Sequence, residues 1–144
     1  MKIVNLQRIL IAFFLLITCV SKAQDSLNMP KKSKVYFLRS TGLTGSGASF
    51  NTYIDGVLVC KLNNKRYSVH EVPVGNHECS VSFGGLKINQ KVERNQINVE
   101  ENKITYVEFF MENGVFSFRI YGKEITQEEA NKRLKKMKED IKCL

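Results

Sequence analysis

The sequence holds little of what catalytic and metal sites are usually made from. It has two histidines, His70 and His77, in 144 residues, no Cys-x-x-Cys pair, and no His, Cys, Asp or Glu cluster at metal-ligand spacing. A nucleophile needs a neighbouring base and a third group that orients it, and the sequence sets no evident serine or cysteine nucleophile beside either histidine. A zinc site from His70, His77 and Cys79 would draw ligands from opposite faces of one hairpin, which tetrahedral coordination does not allow. The glycines at 42, 45 and 47 lack the Gly-Lys-Ser/Thr ending of a phosphate loop and read as a connection. The longest apolar run, residues 9–20, is about a dozen residues, short of the roughly 20 that a membrane span needs.

What the first residues do carry is an export signature. Lys2 and Arg8 give a basic start, the apolar run follows, and Ser21-Lys22-Ala23 ends in small residues. That is the layout of a signal peptide, with the cut expected after Ala23; an uncleaved anchor is the alternative. Leu16-Ile17-Thr18-Cys19 offers another route, lipidation of Cys19, although threonine is an unusual residue directly before a lipidated cysteine. Formal charge is +8 for the whole chain; Lys2, Arg8 and Lys22 leave with residues 1–23 and no acid does, so +5 remains. Much of it lies in Lys31, Lys32 and Lys34 and in Lys132, Arg133, Lys135, Lys136 and Lys138. Basic residues without interleaved aromatics, on an exported chain, exclude nucleic acid as the expected partner. They leave weak attraction to anionic lipid or polymer open.

Residues 24–34 are polar, contain Pro30 and read as a linker. From 35 to 122, short runs rich in Val, Ile, Phe and Tyr alternate with Gly, Asn and Pro clusters, the pattern of a small antiparallel β-sandwich. Asp55-Gly56 predicts a two-residue hairpin pairing Ile54 with Val57 and Tyr53 with Leu58. Pro73-Val74-Gly75 reads as a three-residue hairpin pairing Glu71 with His77, Val69 with Cys79 and Tyr67 with Val81. Tyr67, Val69, Cys79, Val81 and Phe83 then share the core face. Asn113-Gly114 predicts a third hairpin, pairing Phe109 with Phe118, Val107 with Ile120 and Glu108 with Arg119. Residues 86–99 alternate less cleanly and read as a charged edge strand, broken near Arg94-Asn95. Thr126 and Glu129 form a capping box that opens a helix over residues 126–142. Its stripe of Ala130, Leu134, Met137, Ile141 and Leu144 should pack on the sheet.

The run Val35-Tyr36-Phe37-Leu38-Arg39, the turn Tyr53-Ile54-Asp55-Gly56 and the element Pro73-Val74-Gly75-Asn76-His77 together resemble a prokaryotic domain family of unknown function. Its members are short exported proteins, many of them lipoproteins. The Pro-x-Gly-x-His element is also similar to the PEGA type of surface β-sandwich. The resemblance spans residues 35–83; it implies an immunoglobulin- or PEGA-like fold and an envelope location, and it implies no reaction.

Three polar residues stand out as candidates for binding. Arg39, at a strand end before the glycine loop, serves either as the partner of a carboxylate, Asp55 or Glu108, or as a grip on an anionic ligand. His77 and Glu71 face each other in the expected register. Cys60 and Cys79 are both expected on the core face and bridge only if their strands are neighbours. The expected function is a non-catalytic binding or scaffolding module of the cell envelope. It takes no cofactor, its partner is an envelope protein or polymer, and it meets membrane only through a lipidated Cys19 or an uncleaved signal. The alternatives are an interaction protein acting through the C-terminal helix and, behind it, a small hydrolase or metal-dependent enzyme.

Overall fold

The computed structural model describes residues 30–42, 45–84, 93–113, 118–141 and 143. The signal peptide, Cys19, the cut after Ala23 and the linker up to residue 29 lie outside the described residues, as do residues 86–92 of the expected edge strand. Among the described residues the fold is mainly β. Nine strands form two sheets, β1 (Lys32–Arg39), β2 (Phe50–Ile54), β3 (Val57–Leu62), β4 (Arg66–Pro73), β5 (Gly75–Phe83), β6 (Arg94–Val99), β7 (Thr105–Asn113), β8 (Phe118–Ile125) and β9 (Lys138–Glu139), with one helix, α1 (Gln127–Leu134). One sheet runs β8-β7-β1-β4-β9 and the other β3-β2-β5-β6.

The period-2 pattern explains the layering. In β1, Val35, Phe37 and Arg39 point into the space between the sheets, where Phe50, Ile54, Cys60, Leu62, Cys79, Val81, Ile97 and Val99 meet them from the other side. Each buried aromatic or large aliphatic side chain there is worth roughly 1.5–3 kcal/mol. The opposite face of the five-stranded sheet carries Leu38 and Tyr106, covered by Ile125 and Ala130 and flanked by Tyr36, Tyr67, Leu134 and Met137. That sheet is therefore buried on both faces, with the helix as a third layer.

The Asp55-Gly56 hairpin has the expected pairs, Ile54 with Val57 and Tyr53 with Leu58, and a bulge follows at Thr52. Asp55 and Gly56 both take positive φ, 50° and 76°, as a two-residue turn of this kind requires. The other two hairpins differ from expectation. Pro73-Val74-Gly75 is not a hairpin turn but the crossing between sheets: β4 pairs with β1, Glu71 opposite Lys34, while β5 pairs with β2 and β6. Glu71 and His77 therefore do not face each other. Tyr67 and Val69 point away from the core, which takes Ser68, His70 and Val72 instead. Alternation alone cannot tell a hairpin from a corner at which the chain changes sheet.

Strands β7 and β8 do pair, but with Phe109 opposite Gly122, Met111 opposite Ile120 and Glu112 opposite Arg119. This register replaces the one expected from a two-residue Asn113-Gly114 turn; residues 114–117 lie outside the described ones. The offset is even, so the apolar face is kept. Gly122 fixes it: a Cβ there would sit 2.9 Å from the Phe109 ring, so this glycine admits the large ring opposite it.

The capping box is present, with Thr126 and Glu129 each bonding the other's backbone N–H. The helix is shorter than the periodicity indicated. It ends at Leu134, and the chain then turns into β9, which lies parallel to the start of β4. Ile141 is 87% exposed, outside the helix, and Leu144 lies beyond the described residues. No helix among the described residues is long and apolar enough to cross a membrane.

Candidate functional site

Arg39 is the most buried charged side chain, fully removed from solvent. Neither Asp55 nor Glu108 meets it. Its guanidinium donates to three main-chain carbonyls, Nη1 to Ala48 (2.7 Å) and Leu62 (2.8 Å) and Nη2 to Gly45 (2.8 Å). Its Cζ lies 3.6 Å from the centre of the Phe50 ring, a cation–π contact. Burial lowers its pKa to about 10, so it stays charged at neutral pH. The planar fork suits this task because it presents several donors in one plane. Arg39 thus ties the glycine loop to the end of β3, and no ligand can reach it.

The wall behind which Arg39 sits is fixed from other sides too. Asn64 Oδ1 accepts from the Thr41 and Lys65 N–H groups, both at 3.0 Å, and Asn64 Nδ2 donates to Gly42 O at 2.7 Å. Asp140, buried after β9, accepts from Asn63 N and Nδ2 at 3.1 and 2.9 Å. The disulfide joins Cys60 to Cys143, with Cα atoms 4.3 Å apart, rather than to Cys79. Cys60 and Cys79 lie on strands β3 and β5, with β2 between them. Two strand spacings are roughly 9.5 Å, beyond the reach of a bridge of roughly 7 Å. Cys79 stays a free, buried thiol whose pKa burial pushes up to about 12, which makes it inert.

The histidines are also engaged. His77 Nδ1 lies 2.7 Å from Asp55 Oδ2 and Nε2 lies 2.8 Å from Pro73 O. Asp55 Oδ1 accepts from Glu78 N at 2.9 Å. The bonds from His77 and Glu78 hold the Asp55 carboxyl below the usual carboxylate range. His77 is therefore a clasp between the Asp55 hairpin and the sheet crossing, and its partner is Asp55, not Glu71. His70 lies against Phe37 and 2.8 Å from Ser68 Oγ. Burial takes its pKa down to about 4, so the ring is neutral at pH 7. The Ser68–His70 contact was readable as an i, i+2 pair on one strand face, but only once that face was known to point inward. Ser68 is fully buried, so no substrate reaches it.

Arg39, His77 and Glu71 do not converge. Arg39 stands at one end of β1 opposite Arg66, and Glu71 near the other end opposite Lys34. A different set of side chains does gather. A depression of about 460 Å³ at the Arg39 end is lined by Ser40, Lys65, Lys132, Arg133, Lys136 and Met137. Arg133 reaches from the helix to Glu108, Nε to Oε2 at 2.6 Å, not in line for a hydrogen bond. Burial pushes the Glu108 carboxyl up and the Arg133 charge pulls it back. Lys132 pairs with Glu128 at 2.7 Å across one helical turn. In the sequence Lys132, Arg133 and Lys136 stand out only as a basic run, since nothing local says that Lys65 joins them from the β3–β4 turn. Among the described residues no three His, Cys, Asp or Glu side chains are grouped to hold a metal ion. No family model matches the chain, and neither curated proteins nor solved structures show significant similarity to it.

Proposed function

We propose that the chain is an exported, non-catalytic binding module of the cell envelope. The observation that carries this reading is how its reactive groups are used. Arg39 is spent on three carbonyls, His77 on Asp55 and Pro73, His70 on a buried serine, and Cys79 on the core. Each holds the scaffold together. His70 also lines a shallow depression with Asp55 and Glu71, but the serine beside it is fully buried, and catalysis requires a nucleophile held within reach of both its base and the substrate. The Cys60–Cys143 disulfide supports an oxidising compartment, as do the signal-like residues 1–23. The resemblance of residues 35–83 to exported β-sandwich domains points the same way. The helix's apolar residues Ala130 and Leu134 are taken up by the domain, which favours a module over an interaction arm.

Two measurements test the reading. Intact mass of the protein from its host should show loss of residues 1–23; a full-length mass overturns export, and a diacylglycerol adduct on Cys19 makes the chain a lipoprotein. Turnover of ester, phosphoester, peptide or glycoside substrates by the purified protein, abolished by a substitution at His70 or His77, would overturn the non-catalytic reading.

A further inference from the structure

At the depression at the Arg39 end four cations from separate elements face a shared space, and no carboxylate is among its lining residues. Lys65 comes from the β3–β4 turn, Lys132 and Arg133 from α1, and Lys136 from the segment leading into β9. The local carboxylates neutralise only two of them. Glu128 pairs with Lys132 and Glu108 with Arg133, whereas Lys65 and Lys136 have no ion-pair partner among the described residues. Glu108 engages Arg133 through Nε, which leaves the two terminal nitrogens of the fork without a protein acceptor among those residues. Ser40 adds a hydroxyl donor at the rim. The helix's last carbonyls lie nearby but are already occupied, Arg133 O by Lys136 N (2.9 Å) and Leu134 O by Met137 N (3.1 Å).

The walls are also more constrained than a surface patch requires. Lys65 adopts φ +56°, a left-handed conformation that asparagine or glycine takes at lower cost, in a turn with asparagine at the two preceding positions. Strain of this kind persists only where the surroundings enforce it, and here the Asn64 bonds do. Ser40 follows Arg39, which is locked by its carbonyls, and Lys136 is held by the turn into β9 and by the Asp140 and Cys143 anchors. The main chain that carries these exposed side chains is therefore fixed before any ligand arrives, which lowers the share of the ordering cost that falls on the backbone.

From this geometry we infer that the depression is a binding site for a phosphoryl group, carried either by a soluble phosphate-bearing polymer or by an anionic lipid headgroup. A phosphoryl group has several charged oxygens that can be shared among an arginine fork, two lysines and a hydroxyl, whereas a carboxylate occupies little more than the fork. The inference rests on the module reading above and names its ligand class.

The test uses protein expressed from the full-length sequence, with processing checked by mass. Pyrophosphate and glycerol phosphate are titrated by calorimetry in one arm. In the other, phosphatidylcholine vesicles with and without phosphatidylglycerol are sedimented with the protein. Binding in either arm should weaken with added salt, and Lys65→Gln with Lys136→Gln should reduce it by about tenfold or more. The melting temperature of that variant should stay within about 3 °C of wild type, as expected of surface changes. Lys61→Gln, on the exposed outer face of the other sheet, should leave binding intact. Binding of the soluble phosphates assigns a free polymer, and binding of the anionic vesicles alone assigns a lipid headgroup. No binding in either arm, an equal loss in Lys61→Gln, or equally tight binding of polyglutamate overturns the inference. A correctly processed chain that binds no phosphate sinks this site and leaves the module reading standing. Enzymatic turnover sinks that reading and leaves the binding result as it is.

Discussion

At one end of the sandwich a buried cation, Arg39, gathers the carbonyls of Gly45, Ala48 and Leu62; at the other, His77 is held between the Asp55 carboxylate and the Pro73 carbonyl. Both residues tie loops to strands, yet their energetic weight differs. Hydrogen bonds from a charged donor inside the protein are worth about 1.5–3 kcal/mol each, and orphaned buried carbonyls carry a further cost. An ion pair whose carboxylate side is half exposed, as Asp55 is at 52%, is worth about 0–1 kcal/mol. The Arg39 end should therefore be rigid because of what it has buried, and the Asp55 end only lightly fastened.

The strongest way to break this contrast is Arg39→Leu. It removes the charged donor from three carbonyls, of which Gly45 O keeps a long bond from Ala48 N (3.4 Å), and should cost about 3–5 kcal/mol in urea unfolding. Arg39→Lys keeps the charge but not the fork, and should recover less than half of that. If lysine restores full stability, charge rather than geometry organises this end.

The next largest effect belongs to Cys143→Ser, which opens a loop of 83 residues and should lower stability by about 2–4 kcal/mol. Thiol labelling of denatured, unreduced protein should find Cys79 reactive and Cys60 and Cys143 blocked.

A third prediction concerns the core between the two ends. The folded His70 has its pKa near 4 against 6.5 in an unfolded chain. Between those values the unfolded state binds a proton that the folded state refuses. The contribution is thus fully present above about pH 6.5 and is lost as pH falls towards 4. The ring is only partly buried, so after solvent screening the loss is on the order of 1–2 kcal/mol. Comparing unfolding free energies at pH 7.5 and 5 for wild type and His70→Leu should show a smaller difference in the variant.

The smallest effect is expected at the lightly fastened end. Asp55→Asn keeps the turn conformation, since asparagine tolerates positive φ, and removes the charge facing His77. A loss of about 0.5–1 kcal/mol is expected near pH 7. It should vanish as pH falls through the lowered pKa of Asp55, where the wild-type carboxyl is itself protonated. A loss as large as that of Arg39→Leu would erase the distinction between the ends.

Much of this architecture is legible in local chemistry. Asp55-Gly56 demands positive φ and sets its own register. Thr126 and Glu129 cap a helix whatever the sheet does. The alternation of β1, β5 and β7 marks the core side of each. What is not legible depends on pairing at a distance. The parallel contact of β1 with β7 joins Val35 to Thr105, and no turn signal links them. Pro73-Val74-Gly75 has the residues of a tight turn but hands the chain from one sheet to the other. The spacing of Met137 and Ile141 continues a helical stripe, yet pairing with β4 and the bond to Cys60 draw the chain off the helix after Leu134. Arg39 was legible as important and misread in role, because a buried arginine satisfied by carbonyls leaves no acidic partner to find. The cationic depression was invisible for a similar reason: Lys65 and Lys136 are 71 positions apart and meet only through the fold.

The place of β1 in its sheet has a mechanical consequence. The strand begins at Lys32, where the preceding chain enters, runs to Arg39 beside the depression, and is flanked by β4 and β7 along its length. A pull between that entry point and a ligand held at the far end would act along the strand axis. The hydrogen bonds to both neighbours would then be loaded together in shear rather than opened one after another as in a zipper. The last residues are stapled by the Cys60–Cys143 disulfide, so the load cannot peel them away first. A molecule strung in this direction would resist traction as a bolt in a double lap joint does.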